Sequence, residues 1–176
     1  VEFDKHFKIK TGLKHSKLTE QQVLKICNYI EFLINHSNHT KYDEEYLTKY
    51  FGFDKVLPMN TGAEAVETAL KICRKWAYEK KGISENAAQI IVCENNFHGR
   101  TTTIISFSND ENARKNFGPF TDGFIKIAYD DITALESAIT SSPNIAGFLV
   151  EPIQGEAGVY VPSEGYLSKA KALCEK

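Results

Sequence analysis

A turn between a short apolar segment and an amphipathic helix is the first place where this sequence could do chemistry. The segment Lys55–Met59 predicts a strand, and Ala63–Lys80 predicts a helix because its apolar residues recur at helical spacing. The turn Asn60–Gly62 between them would leave the N–H groups of the first helical turn, and the positive end of the helix dipole, open to a ligand. A phosphate binds at such a position without needing a lysine. A plain turn that uses glycine only for its geometry is the alternative interpretation.

The turn suits a small phosphate ester rather than a nucleotide. It has neither the Gly-Lys-Ser/Thr ending of a nucleoside-triphosphate loop nor the Gly-x-Gly-x-x-Gly pattern of a dinucleotide site. Gly62 and Ala63 would offer backbone N–H groups to the phosphate, and Thr61 would add a hydroxyl donor.

Two further groups of residues follow apolar segments that predict buried strands. Phe97–Arg100 comes after the segment Gln89–Cys93, and Glu151 comes directly after Ile145–Val150. Because ligands bind at the carboxyl ends of parallel strands, these residues and the phosphate turn should share one edge of a sheet. Glu151 needs a partner there, since an unpaired carboxylate is costly at the end of a buried strand. The guanidinium of Arg100 suits a substrate carboxylate, and a surface ion pair is the alternative.

Strands and helices alternate along the chain from Lys55 onward, which predicts an α/β fold with a parallel, doubly wound sheet. One more strand is predicted at Gly123–Tyr129. Further helices are predicted at Leu18–Asn35, Tyr42–Phe51, Asp131–Thr140 (capped by Asp130 or Asp131) and Glu164–Glu175 (capped by Ser163). The β-branched residues of Thr101–Ser108 fit a strand or a helix, so the pattern leaves that segment open. The predicted buried face of the helix after the phosphate turn consists of Val66, Ala69, Cys73, Trp76 and Ala77.

Composition excludes several classes of protein. The chain has 176 residues, of which 42% are hydrophobic and 25% charged, and its net charge is −2. This balance is ordinary for a globular domain, and it gives no electrostatic basis for binding nucleic acid or an anionic membrane. Four scattered cysteines without a Cys-x-x-Cys pair indicate reduced cytoplasmic thiols rather than disulfides or zinc ligands. His36 and His39 fit a polar loop better than a metal site.

Four motifs, in this order and spacing, resemble the class III aminotransferases, which use pyridoxal 5′-phosphate (PLP). They are residues 60–65, 94–101, 117–120 and 150–158. Within the class, the motifs look most like those of the ornithine δ-aminotransferases. The resemblance divides the chain into a segment that does not match, residues 1–41, and the N-terminal half of a PLP-binding large domain, residues 42–176. The implied fold is the fold type I sheet of these enzymes, incomplete in this chain, and the resemblance implies a helix at Thr101–Ser108.

The resemblance implies that residues of the phosphate turn and of the segments after the predicted strands contact the cofactor. The turn Thr61–Ala63 would bind the phosphate of PLP, and Phe97 would stack on the pyridine ring, although anchoring of its loop in the core is the alternative. His98 would either flank the ring or only shape the loop. Glu151 would lie near the cofactor and its polar neighbours.

The resemblance also implies substrate contacts. Arg100 would bind a carboxylate, and Glu156 matches a glutamate that pairs with an arginine of the C-terminal domain in ornithine aminotransferases. That pair masks the arginine while ornithine presents its δ-amine, then opens for a dicarboxylate. Solvation of Glu156 in a glycine-rich loop is the alternative.

The implied reaction is PLP-dependent transfer of the δ-amino group of L-ornithine to 2-oxoglutarate, giving glutamate-5-semialdehyde and glutamate on the route to proline. Acetylornithine aminotransferase, 4-aminobutyrate aminotransferase and a non-catalytic truncated relative are the alternatives. The expected assembly is a homodimer, in the cytoplasm or in the mitochondrial matrix. The chain ends at Lys176, before the aspartate and the Schiff-base lysine of the family, so we expect a fragment without catalytic residues that is inactive alone.

Overall fold

The computed structural model describes residues 40–175. These residues fall in two compact units that divide between Leu57 and Pro58, and each unit is described by itself. The first contains helix α1, Thr40–Phe51, which ends one residue before Gly52 as the sequence predicts. The predicted helix at Leu18–Asn35 and the polar segment with His36 and His39 lie outside the described residues.

Helices and strands alternate in the second unit. Its elements are helix α2 (Gly62–Glu79), strand β1 (Gln89–Cys93), helices α3 (Thr102–Ser106) and α4 (Glu111–Arg114), strand β2 (Phe124–Ile127), helix α5 (Ile132–Ser141), strand β3 (Ile145–Leu149) and helix α6 (Tyr166–Cys174). Asp131 is the N-cap of α5, and its side chain accepts a hydrogen bond from the backbone N–H of Ala134 at 2.8 Å.

The three strands form a parallel sheet in the order β2-β1-β3. The central strand places Ile91 opposite Ile125 on one side and opposite Phe148 on the other. Because all three strands are parallel, their carboxyl ends meet at the same edge of the sheet.

Helices cover both faces of this sheet, so the predicted doubly wound α/β fold is confirmed. Residue Ile91 belongs to a core shared with α5 and α6, whereas Ile90 and Val92 belong to a core shared with α2 and α3. This alternation follows from the two-residue period of a strand. A Cβ atom at Gly147 of β3 would lie 2.8 Å from the Sγ atom of Cys73, which shows how closely α2 approaches β3.

The structure contradicts the predicted strand at Lys55–Met59. None of its residues is in a strand, and none of the strands within residues 40–175 pairs with it. Pro58 has no N–H group to donate to a neighbouring strand, and most of the segment is exposed. An apolar composition without a partner strand therefore did not produce a strand.

Two smaller predictions were also wrong. Ala77 is buried as predicted, but Ala69 and Trp76 are exposed, and Leu70 is the other buried residue of α2. Ser163 does not cap the last helix, which begins at Tyr166 after Gly165 in the left-handed conformation.

Candidate active site

The loop that follows β1 is held in place by its own buried asparagine. The side-chain amide of Asn96 is only 7% exposed, and its Nδ2 donates to the carbonyl groups of Cys93 at 2.6 Å and Phe107 at 3.3 Å. The backbone N–H of Glu94 donates to the carbonyl of Ile127 at the end of β2, at 2.7 Å. The start of this loop is therefore fixed to the sheet, and the residues that follow it, 97–100, project from a defined base.

The segment that follows β3, residues 151–163, contains a small hairpin. Gln154 and Tyr160 exchange two backbone hydrogen bonds, of 3.0 and 2.9 Å. Glu156 lies in the exposed turn of this hairpin. The far end of the segment is tied down by Ser163, whose backbone N–H and hydroxyl both donate to Oδ2 of Asp130, at 3.0 and 2.7 Å.

A tyrosine from the end of β2 supports the beginning of the same segment. The hydroxyl of Tyr129 donates to the carbonyl of Glu151 at 3.1 Å and lies 3.2 Å from that of Pro152. Burial raises the pKa of Tyr129 to about 12, with Cys93 as the next contributor, so the hydroxyl remains a donor at neutral pH.

Two hydrogen bonds join the hairpin segment to the loop after β1. The carboxylate Oε2 of Glu151 accepts from the backbone N–H of Phe97 at 3.0 Å. The side-chain Nε2 of Gln154 donates to the carbonyl of Glu94 at 2.8 Å. The partner that Glu151 requires at the end of its strand is thus the backbone of the loop carrying the candidate aromatic residue.

One cavity of about 360 Å³ brings together half of the predicted site residues. Phe97, His98, Arg100 and Glu156 all line it. The guanidinium carbon of Arg100 lies 5.6 Å from the centroid of the Phe97 ring, and Phe97 is 40% exposed. The described residues lining the cavity do not include Glu151, which supports it through the Phe97 backbone.

The predicted phosphate turn lies beside this cavity and does not line it. A Cβ atom at Gly99, which lines the cavity, would lie 3.3 Å from the Cβ of Ala63. Among the described residues, neither Gly62 nor Ala63 donates its backbone N–H to a hydrogen-bond acceptor. Gly62 is exposed, and a Cβ there would meet nothing within 4 Å.

Thr61 caps the helix that follows it. It is the N-cap of α2, and its hydroxyl oxygen accepts from the backbone N–H of Glu64 at 3.1 Å. The hydroxyl proton is directed to Oε2 of Glu64 at 3.3 Å. In this structure the side chain of Thr61 therefore satisfies the helix itself, and two backbone N–H groups remain for a phosphate.

His98 lies against the floor of the cavity. Its ring is 6.0 Å from that of Phe107, and its Nε2 atom is buried without a hydrogen-bond partner among the described residues. Burial lowers the pKa of His98, which keeps the imidazole neutral at physiological pH.

The sequence did not single out the opposite wall of the cavity, formed by Ser108, Asn109 and Asp110. The side-chain Oδ1 of Asn109 accepts from the backbone N–H of Asn95 at 3.2 Å, which joins this wall to the loop after β1. Nη1 of Arg114 donates to the carbonyl of Ser108 at 3.3 Å. In the sequence these residues form a short polar segment between two helices, which is typical of an ordinary loop and did not indicate a site.

Comparisons with known proteins identify the family of the chain. The family described as "Aminotransferase class-III" matches residues 7–176, further towards the N-terminus than the recognised motifs. The chain belongs to the class III aminotransferases.

Named relatives lie within this class. The mitochondrial ornithine aminotransferase of Drosophila ananassae is 59% identical over 133 residues, 76% of this chain and 31% of the relative. A solved structure of the Toxoplasma gondii ornithine aminotransferase, with partial occupancy of PLP at its active site, is 56% identical. It has a TM-score of 0.72 and covers 74% of this chain and 30% of its own. The chain thus spans about a third of the length of these relatives.

A related enzyme of different name is also similar. The acetylornithine aminotransferase of Elizabethkingia anophelis is 66% identical, with a TM-score of 0.60, over 75% of this chain and 31% of that one.

No helix within residues 40–175 is long and apolar enough to cross a membrane. The same range contains no group of three or more His, Cys, Asp or Glu side chains that could hold a metal ion.

Proposed function

We propose that the complete natural polypeptide carrying this chain is an ornithine δ-aminotransferase. It transfers the δ-amino group of L-ornithine to 2-oxoglutarate and forms glutamate-5-semialdehyde and glutamate, which connects ornithine to proline metabolism. The observation that carries the proposal is the single cavity shared by Arg100, Glu156 and Phe97. A guanidinium, a carboxylate and an exposed aromatic ring are the groups needed to hold an amino acid beside a flat cofactor.

The residues present fit PLP as the cofactor. The N–H groups of Gly62 and Ala63, which have no acceptor among the described residues, lie at the positive end of α2, where a phosphate would be held. The exposed face of Phe97 is available for stacking, and Glu151 fixes the backbone of that residue. When bound, PLP supplies the electron sink for cleaving bonds at the amine-bearing carbon. His98, whose pKa is lowered by burial, adds an uncharged imidazole to the lining of the cavity.

The charges of the cavity suit a diamino acid. Arg100 would bind the carboxylate of ornithine through its paired N–H groups, whereas Glu156 contributes the negative charge that complements a second ammonium group. A dicarboxylate such as 2-oxoglutarate must bring its second carboxylate towards Glu156. An additional cation is then needed to compensate, which is the role that the resemblance gives to an arginine outside this chain.

A second candidate is an acetylornithine aminotransferase, favoured by the 66% identity to the Elizabethkingia anophelis enzyme. Acetylation removes the positive charge from the α-amine of ornithine, so N-acetylornithine has one ammonium group fewer for the negative charge of Glu156 to complement. Relative turnover of ornithine and N-acetylornithine distinguishes the two enzymes.

We extend the proposal to the setting of the enzyme. Its partners are small molecules and a second copy of itself in a homodimer, and neither nucleic acid nor membrane is among them. The cytoplasm is the proposed compartment, with the mitochondrial matrix as the alternative, since the Drosophila ananassae relative is named mitochondrial.

The test measures turnover by the complete polypeptide with PLP and 2-oxoglutarate. We expect turnover of ornithine, and we expect Glu156→Ala to lower the preference for ornithine over glutamate by about tenfold through loss of one charge interaction. Glu164→Ala, a matched change at another exposed glutamate of the same region, should leave that preference unchanged. Absence of ornithine turnover would exclude the proposed reaction, and greater activity on N-acetylornithine would favour the second candidate.

A further inference from the structure

Gln154 has the environment of a structural anchor although it lies two residues from a proposed substrate contact. Its side chain is 3% exposed, and it does not line the cavity. Its Nε2 donates to the carbonyl of Glu94 at 2.8 Å, while its backbone closes the hairpin with Tyr160. A buried polar side chain with a defined partner holds two segments in a fixed relation.

The residue that Gln154 binds is itself immobilised. The backbone N–H of Glu94 donates to the carbonyl of Ile127 in β2 at 2.7 Å, and Glu94 directly follows β1. The Gln154 side chain therefore ties the base of the hairpin to the sheet, at the root of the loop that carries Arg100.

Two tethers connect the hairpin segment to the loop after β1, and they act at different points. Glu151 binds the backbone of Phe97, and Gln154 binds the backbone of Glu94. Without the Gln154 tether, the base of the hairpin loses its direct hydrogen bond to the loop after β1, while Glu151, Tyr129 and Ser163 still hold the two ends of the segment. With the tether in place, the hairpin that carries Glu156 has a fixed base next to the loop that carries Arg100.

We propose that Gln154 is a positioning residue that sets the separation of Arg100 and Glu156 across the cavity and thereby determines the substrate preference. The proposal deepens the proposed function and rests on it. Gln154 contacts neither substrate nor cofactor. It acts through the placement of Glu156, so its loss should alter discrimination between cationic and anionic substrates more than the rate of the chemical step.

The test uses the complete polypeptide carrying Gln154→Met or Gln154→Ala. The first variant keeps about the size of the side chain but replaces its amide donor with an apolar thioether. The second removes the tether and shortens the side chain. We expect the ratio of kcat/KM for ornithine to kcat/KM for glutamate to fall by about tenfold in both, mainly through KM for ornithine.

Gln89→Met is the matched control, because Gln89 is a partly buried glutamine at the opposite end of β1. This variant can lower stability, but it should leave the substrate ratio unchanged. An unchanged ratio in both Gln154 variants, with Glu156→Ala still altering it, would overturn the positioning role.

Amide hydrogen exchange gives a readout that does not depend on turnover. The Gln154 variants should exchange faster at residues 155–160, while the amides of β1 keep their protection. Equal exchange in wild type and variants would contradict the tether. If wild type fails to turn over ornithine, the proposed function is excluded, and hydrogen exchange still decides whether Gln154 fixes the hairpin.

Discussion

At the scale of single residues, hydrogen-bond partners separate side chains that face the cavity from those that hold the backbone. Arg100 and Glu156 reach the cavity, whereas Glu151 and Gln154 are occupied with the backbone of the neighbouring loop. Both groups contain a glutamate, so residue type alone did not distinguish them. The sequence marked Glu151 because it ends a buried strand, and it overlooked Gln154 because an amide carries no charge that requires compensation.

His98 should make the stability of the protein depend on pH. Burial lowers the pKa of His98 in the folded chain below the usual 6.5 of the unfolded chain. Between these two pKa values the imidazole is protonated in the unfolded chain and neutral in the folded chain. This contribution to stability is complete above pH 6.5 and decreases as the pH falls below it. We expect His98→Gln to reduce the difference in Tm between about pH 7.5 and about pH 5.5.

Thermal unfolding of wild type and variant at the two pH values checks this expectation. The variant supplies a polar side chain that cannot be protonated in this range. An identical loss of Tm on acidification in both proteins would show that His98 contributes nothing to the pH dependence.

At the scale of elements, the candidate site follows from the parallel sheet. The residues after β1, β2 and β3 meet because the carboxyl ends of these strands share one edge, as Phe97, Tyr129 and Glu151 show. This juxtaposition was predictable, since the apolar runs at Gln89–Cys93 and Ile145–Val150 indicated buried strands, which the structure has at Gln89–Cys93 and Ile145–Leu149. It required no knowledge of the side-chain contacts.

Other elements were not predictable from local pattern. The segment Lys55–Met59 has the composition of a strand, but a strand forms only with a neighbour, and sequence pattern says nothing about the neighbour. Ser163 has the residue type of a helix cap, yet its hydroxyl binds Asp130, a residue 33 positions earlier. In both cases the outcome depends on contacts with distant residues, which are missing for Lys55–Met59 and present for Ser163, and these override local preference.

The packing of the loop after β1 against α2 leads to a prediction at this scale. Gly99 has φ +125°, and a Cβ there would lie 3.1 Å from Ile104 Cδ1 and 3.3 Å from Ala63 Cβ. Gly99→Ala should therefore destabilise the fold by about 1–3 kcal/mol and displace the phosphate turn from the cavity. Chemical denaturation measures the first effect, and phosphate binding measured by calorimetry reports the second.

Gly155→Ala is the control for this substitution. Gly155 lies in the hairpin with no atom within 4 Å of the added Cβ, and its φ is not in the left-handed region. Its unfolding free energy should stay within about 0.5 kcal/mol of wild type. A comparable loss in both variants would mean that the close approach of Gly99 to α2 is unimportant.

At the scale of the whole molecule, α2 presents apolar side chains on its outer face. Ile72 and Trp76 are 55% and 49% exposed, and basic residues including Lys71 and Lys75 lie beside them. The relatives are about three times as long as this chain, so most of their residues have no counterpart among those described. Exposed apolar groups of this size on a single chain form a surface that binds other apolar groups.

This surface predicts the behaviour of the isolated 176-residue chain. We expect the chain to bind a hydrophobic dye strongly and to self-associate, and we expect the double variant Ile72→Gln/Trp76→Gln to reduce both effects. Because both side chains are largely exposed, the substitution removes little buried apolar area and should leave the unfolding transition nearly unchanged.

Lys75→Gln, on the same helix, should leave dye binding at the wild-type level, since it removes a charge and no apolar surface. Dye fluorescence and sedimentation velocity supply the measurements. A wild-type chain that stays monomeric, binds no dye and unfolds in one sharp transition would show that this face of α2 is stable in water as it stands.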